Sequence, residues 1–145
     1  MEKVPVKKLR PNATLPTYGT SLAAGADLYA CLEEAVTIAP GQTRMIPTGI
    51  AMEIPVGFAG LIYARSGLSV KRGLAPANKV GVVDADYRGE FMVALLNHGT
   101  ESQTVSHGER IAQLVITPVF TPGFIEVDEL TDTARGQGGF GSTGK

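Results

Sequence analysis

Apolar residues in this 145-residue chain come in short runs, each closed by glycine, proline or a polar turn. The runs are Val4–Leu9, Asp27–Cys31, Ala35–Ile38, Thr43–Ile46, Ile50–Ile54, Phe58–Ala64, Lys79–Asp84, Glu90–Asn97, Gln103–Val105, Arg110–Val119 and Phe124–Val127. Helices of ordinary length, about 11–12 residues, have almost no room between these breaks. Only Ala26–Ala39 runs for more than a dozen residues without glycine or proline, and there Val36 and Ile38 alternate before Pro40-Gly41 stops the run. Many short strands with dense turn signals predict an all-β domain: a sandwich, jelly roll or barrel.

Two runs carry more information than the rest. In Glu90–Leu96, Phe91, Val93 and Leu95 alternate with Met92, Ala94 and Leu96, so both faces are apolar. Such a strand is covered twice, within a core or between subunits. Arg110–Val119 has the same character, except that Gln113 interrupts it. Ser66–Gly73 departs from the strand pattern, and there Ser66 is placed to cap one helical turn that Gly73 ends.

The length fits one domain. Residues 1–130 hold the β domain, and residues 131–145, rich in glycine and without a core pattern, read as a flexible arm. The net charge of −1 gives no field for wrapping nucleic acid or adhering to a membrane, but leaves room for a small anion held by local cations. No apolar run approaches the ~18 residues of a membrane span. The N-terminus shows no signal or transit pattern, and the single Cys31 offers neither an internal disulfide nor metal-type spacing. The expected location is the cytoplasm.

The densest chemistry lies in Gly81–Glu90, which reads as a hairpin bend with two carboxylates, a tyrosine and an arginine between glycines. Asp84 ends an apolar run rather than forming an Asp-Gly turn. Asp27 opens a strand among small residues, either as a turn-former or as a functional acid. Arg65-Ser66-Gly67 joins a strand to a helical start, where backbone N–H groups, a hydroxyl and a guanidinium suit a phosphate. A plain cap beside a solvated arginine is the simpler reading of that segment. Gln113, if buried, must find partners, either neighbouring backbone or something held in a site. In the arm, Arg135 suits phosphate, Phe140 suits a flat base, and Ser142 and Thr143 bring hydroxyls. His98 and His107 stand alone in loops and are expected at the surface.

Together these clusters resemble the trimeric dUTP diphosphatases (dUTPases). Five segments carry the resemblance, in order: Ala-Ala-Gly-Ala-Asp-Leu-Tyr (23–29), Ala-Arg-Ser-Gly-Leu (64–68), Gly-Val-Val-Asp-Ala-Asp-Tyr-Arg-Gly-Glu (81–90), Gly-Glu-Arg-Ile-Ala-Gln-Leu (108–114) and Arg-Gly-Gln-Gly-Gly-Phe-Gly-Ser-Thr-Gly (135–144). The resemblance implies a jelly-roll-like distorted β-barrel. It also implies a homotrimer with an exchanged C-terminal arm, three interface active sites, and Mg²⁺-dependent hydrolysis of dUTP to dUMP and pyrophosphate. It makes Asp84 the base that activates water and sets Tyr87 against the deoxyribose. Asn78, Gly81, Val82 and Val83 would hold uracil, with Met92 nearby. Arg65, Ser66, Gly67 and Gln113 would line the phosphates, and Asp27 would help place Mg²⁺ through water. Arg135, Phe140, Gly141, Ser142 and Thr143 would close over a neighbouring subunit's site.

This chain has Ala64 where many relatives have proline, and Ala77 where glycine is frequent. The nearest competing reading is a dCTP deaminase, or a bifunctional deaminase–diphosphatase, on the same fold, with Glu90 as the only candidate in the bend for a proton shuttle. A non-catalytic nucleotide-sensing module is the alternative of a different class. Asp84 and the complete arm argue against it.

Overall fold

The computed structural model of the chain describes residues 3–139. Strands dominate it, as the apolar pattern predicts. In chain order they are β1 (Val6–Lys8), β2 (Thr17–Tyr18), β3 (Ala26–Tyr29), β4 (Val36–Ile38), β5 (Thr43–Pro47), β6 (Ile50–Met52), β7 (Phe58–Tyr63), β8 (Leu74–Pro76), β9 (Gly81–Val83), β10 (Met92–Asn97), β11 (Gln103–Val105) and β12 (Arg110–Pro118). One helix, α1 (Ser66–Arg72), lies between β7 and β8. A five-stranded sheet runs β2-β3-β12-β7-β9, a three-stranded sheet runs β5-β10-β8, and β1-β6 and β4-β11 form two ribbons. Every pairing is antiparallel.

These layers close as a jelly-roll-like distorted barrel over one core, in which Leu28, Ile38, Ile46, Leu74, Phe91, Leu95 and Ile111 are sealed from solvent. Each such side chain contributes roughly 1.5–3 kcal/mol by leaving water. Among the described residues two polar side chains are buried, Thr48 and, at the end of β10, Asn97. The Asn97 amide donates to the Ile38 carbonyl at 2.8 Å and the Glu101 carbonyl at 2.7 Å, and it accepts the Gly99 N–H at 3.0 Å. A buried amide with its bonds made fixes the turn that follows β10.

In β10, Val93 and Leu95 face the core, while Met92, Ala94 and Leu96 are half-buried on the other side. Met45 of β5, opposite Ala94, is 56% exposed on the chain by itself. Among the described residues this second face of β10 is only partly covered.

Three expectations are corrected. Gly81–Glu90 is not a hairpin: β9 pairs with β7, whereas β10 pairs with β5 and β8. The bend is a corner that carries the chain from one sheet to the other. Ser66 does not cap α1; Arg65 is the N-cap, with extended backbone (φ −88°, ψ 129°) and no side-chain capping bond. Gly73 does end the helix, left-handed at φ 63°. Phe124–Val127 forms no strand, because strand chemistry without a neighbouring edge gives no ladder. Phe124 and Ile125 are almost wholly exposed.

Candidate active site

The corner after β9 is built by short-range bonds. The Asp84 carbonyl accepts the Tyr87 N–H at 3.2 Å, closing a four-residue turn. Arg88 donates to the Ala85 and Tyr87 carbonyls at 2.7 and 3.0 Å and so ties the turn from outside. Tyr87 donates its hydroxyl proton to the Glu90 carbonyl at 3.0 Å, and its ring lies where a side chain on Gly89 would stand. The ring is also 6.2 Å from that of Phe91, tilted by 43°. Asp84 and Asp86 are left exposed on the turn.

An open pocket of about 340 Å³ lies against this corner, lined by Met45, Ile62, Asn78, Gly81, Val82, Val83, Asp84, Tyr87, Glu90, Phe91 and Met92. It gathers seven of the expected residues: Asn78, Gly81, Val82, Val83, Asp84, Tyr87 and Met92. One edge of β9 bonds to β7, and no other described strand lies along the second edge. That edge therefore offers backbone donors and acceptors to whatever fills the pocket. Asn78 is held at the rim by a tight turn. Lys79, left-handed at φ 65°, donates its N–H to the Pro76 carbonyl, and Val80 N–H reaches the Asn78 carbonyl at 2.7 Å. Among described residues Lys79 is alone in adopting positive φ without being glycine. Gly81 is closely set, since a Cβ there would stand 3.3 Å from the Ile62 Cβ and 3.4 Å from the Asn78 amide nitrogen.

Glu90 lines the same pocket but its carboxylate is engaged. One oxygen accepts the Gly49 N–H at 2.8 Å and the other meets Arg10 at 3.4 Å. This bonding braces the corner and counts against the proton-shuttle role that a deaminase would ask of Glu90.

A second cluster forms on the five-stranded sheet. Asp27, Gln113 and Tyr63 stand in one row across β3, β12 and β7. Arg65 donates through Nε to one Asp27 oxygen at 2.7 Å, and Arg110 meets the other at 3.3 Å. Gln113 donates to the Ala64 carbonyl at 2.8 Å, and its amide packs against Gly25, where any side chain would collide with it. Asp27 stands within β3 rather than forming a turn, and Gln113 finds a neighbouring backbone carbonyl as its partner. Ser66 and Gly67 are exposed at the start of α1. Arg110 is the residue that sequence reasoning passed over.

These two clusters are separate. Val83 of β9 is opposite Gly60 of β7, so Asp84 lies at the Ala59 end of β7, while Arg65, Ser66 and Gly67 follow its other end, roughly 20 Å along the strand. Asp27, on β3, is three strand spacings from β9. None of Asp27, Arg65, Ser66, Gly67 or Gln113 lines the pocket at the corner.

Arg135 folds back to donate to the Gly138 carbonyl at 2.8 Å. Phe140, Gly141, Ser142 and Thr143 lie outside the described residues. His98 and His107 are exposed, with His107 accepting the Leu32 N–H at 3.2 Å. Among described residues, no three His, Cys, Asp or Glu side chains gather to hold a metal ion. Asp27 keeps lone pairs beyond those its arginines use, which suits a hard cation reached through water rather than direct ligation.

The fold and pocket define an all-β, jelly-roll-like protein whose open site is built on a sheet edge and a turn carboxylate. A family model described as dUTPase matches residues 11–144. The deoxyuridine 5'-triphosphate nucleotidohydrolase of Desulfitobacterium hafniense (strain DSM 10664 / DCB-2) is 55% identical over 131 residues, covering 90% of this chain and 87% of that protein. The Staphylococcus bacteriophage 80alpha dUTPase, solved with dUPNHPP, superposes with a TM-score of 0.92 at 31% identity, each chain covered in full. A variant of the dUTPase from phage phi11 of S. aureus, solved to show coordination of a structural Mg(II) ion, has a TM-score of 0.80 at 27% identity. It covers 88% of this chain and 98% of that one. The chain belongs to the dUTPase family.

Proposed function

We propose that this protein hydrolyses dUTP to dUMP and pyrophosphate, keeping uracil out of DNA and supplying dUMP for thymidylate synthesis. The observation that carries the reading is the pocket at the corner. It sets a free sheet edge, an amide, a tyrosine ring and an exposed carboxylate around one small space. Backbone N–H and C=O groups of Gly81–Val83, with Asn78, match the donor and acceptor edge of uracil, and cytosine presents the wrong pattern. A base read in this way is discriminated strongly, because a mismatch leaves buried groups unpaired. Tyr87 is held in place by Gly89 and Glu90 and serves as the wall against which deoxyribose packs, leaving no space for a 2′-hydroxyl. Asp84 takes the proton of the water that attacks the α-phosphorus, and Met92 borders the base.

Arg65, Ser66, Gly67 and Gln113 bind the phosphates. They lie too far from Asp84 of the same chain to meet the same triphosphate. The catalytic unit is therefore a homotrimer with sites between subunits, in which one chain brings the corner and another the phosphate cluster. The partly covered apolar side of β10, with Met45, supports such contacts. The arm, residues 131–145, extends to a partner, where Arg135, Phe140, Gly141, Ser142 and Thr143 close the site and exclude water. The exposed Phe120, Phe124, Ile125 and Leu130 that lead into it favour exchange between subunits. Mg²⁺ would be held with the phosphates and from Asp27 through water, and would supply charge neutralisation during the reaction. No described helix is long and apolar enough to cross a membrane, and the cytoplasm is the compartment we assign.

The test is Asp84→Asn. General-base help is worth roughly 10²–10⁴-fold, so pyrophosphate release should fall by that factor while dUTP still binds. Unchanged turnover in this variant would remove Asp84 from its role. Ammonia released from dCTP by the natural protein would instead establish the deaminase reading.

A further inference from the structure

Asp27 poses a problem of charge. It lies in the cluster assigned to the phosphates, yet it is ion-paired to Arg65 at 2.7 Å with its side chain only 14% exposed. That carboxylate cancels the one guanidinium the phosphate segment supplies. A triphosphate carrying several negative charges would meet a neutral pair, unless a further cation stands beside it.

β12 provides one through an irregularity. Arg110 pairs with Tyr29, Ala112 with Leu28, and Gln113 with Asp27, so Ile111 is an extra residue with no partner on β3. Side chains alternate along a regular strand, which would put Arg110 and Gln113 on opposite faces. The bulge at Ile111 reverses that parity. Tyr29 and Asp27 share a face of β3, so Arg110 and Gln113, opposite them, share that face too. Ile111 and Ala112, adjacent in sequence, are both buried as a result. A bulge costs ladder bonding and recurs where a side chain must be re-aimed near a site. Here it swings Arg110 over to Asp27 at 3.3 Å, with the arginine side chain still 53% exposed. Two guanidinium groups thus share one carboxylate, and the trio carries a net positive charge. Most N–H donors of both arginines stay uncommitted.

We propose that Arg110 is a second triphosphate-binding arginine, aimed by the bulge at Ile111 and positioned by Asp27 beside Arg65. The assignment rests on the dUTP reading given above and deepens it: Asp27 acts first as the hinge between two phosphate-facing arginines. Charge-assisted bonds to the β- and γ-phosphates then depend on Arg110, while recognition of base and sugar does not.

The experiment compares binding of dUpNHpp with Mg²⁺, and of dUMP, by titration calorimetry in the wild-type protein, Arg110→Gln and Arg110→Lys. Arg110→Gln is expected to weaken dUpNHpp roughly 10- to 100-fold and to leave dUMP within about twofold, the variation ordinary for a surface change. Arg110→Lys, which keeps the charge but not the fork, should fall between them. An unchanged dissociation constant for dUpNHpp in Arg110→Gln overturns the proposal. An equal loss for dUMP also overturns it, by showing a purely structural role. Failure of the wild-type protein to bind dUpNHpp at all would overturn the dUTP reading itself, and the role of Arg110 with it.

Discussion

The ring of Tyr87 occupies the space where a side chain on Gly89 would project. The glycine is therefore part of the tyrosine's seat, and the Glu90 carbonyl holds the hydroxyl end at 3.0 Å. Gly89→Ala should push the ring out of line without disturbing the core. The ratio of kcat/KM for dUTP over UTP is expected to drop on the order of tenfold, about 1.4 kcal/mol of discrimination. Steady-state assays on the two nucleotides check this, and an unaltered ratio would show that the ring does not police the sugar.

The separation between the corner and the Asp27–Arg65 pair makes complementation possible. Asp84→Asn and Arg65→Gln chains, each inactive in isolation, should regain activity when unfolded together and refolded as a mixture. Random assembly leaves about a quarter of interface sites with both native parts in a cyclic trimer. Recovery near that level supports composite sites, whereas a mixture as inactive as its components would mean that each site belongs to one chain.

Glu90 is expected to matter for stability more than for turnover. Glu90→Gln weakens the bond to the Gly49 N–H and loses the pairing with Arg10. Weakening a partly buried hydrogen-bonded charge costs about 1–3 kcal/mol. Chemical denaturation should show that loss while kcat stays within a few-fold. A collapse of kcat with stability intact would return Glu90 to the chemistry.

If residues 131–145 close the site as proposed, removing them should leave the proposed oligomer assembled and cut turnover sharply. Light scattering and pyrophosphate release together decide the matter. Full activity in the shortened protein would exclude a closing arm.

The parts legible from sequence were those governed by local pattern. β10 announced itself because apolar residues occupy both of its faces, and the corner did so because Asp84 ends an apolar run without a turn partner. What escaped depends on neighbours distant in sequence. β2 is two residues long, and β8 ends in Pro76, which an edge strand tolerates because its N–H is not needed. Phe124–Val127 has strand composition but no adjacent edge. The corner looked like a hairpin because nothing in Gly81–Glu90 records that β9 joins β7 while β10 joins β5. Arg110 was hidden by arithmetic, since a parity count that knows nothing of the bulge sends it to the wrong face. Ser66 has the chemistry of a cap, yet Arg65 already takes the extended conformation that a cap requires.

The unpaired edge of β9 has a further implication. Exposed strand edges recruit other strands, and proteins usually blunt them with lysine, proline or a covering segment. Gly81-Val82-Val83 carries none of these, and on the proposed reading any of them would deny a pyrimidine its partners. Brevity is the protection that remains: three residues are enough to read one base and too few to template a stable intermolecular ladder. Engineering a longer β9 to tighten nucleotide binding would therefore trade affinity for self-association, and solubility would set the limit on how well this site can be improved.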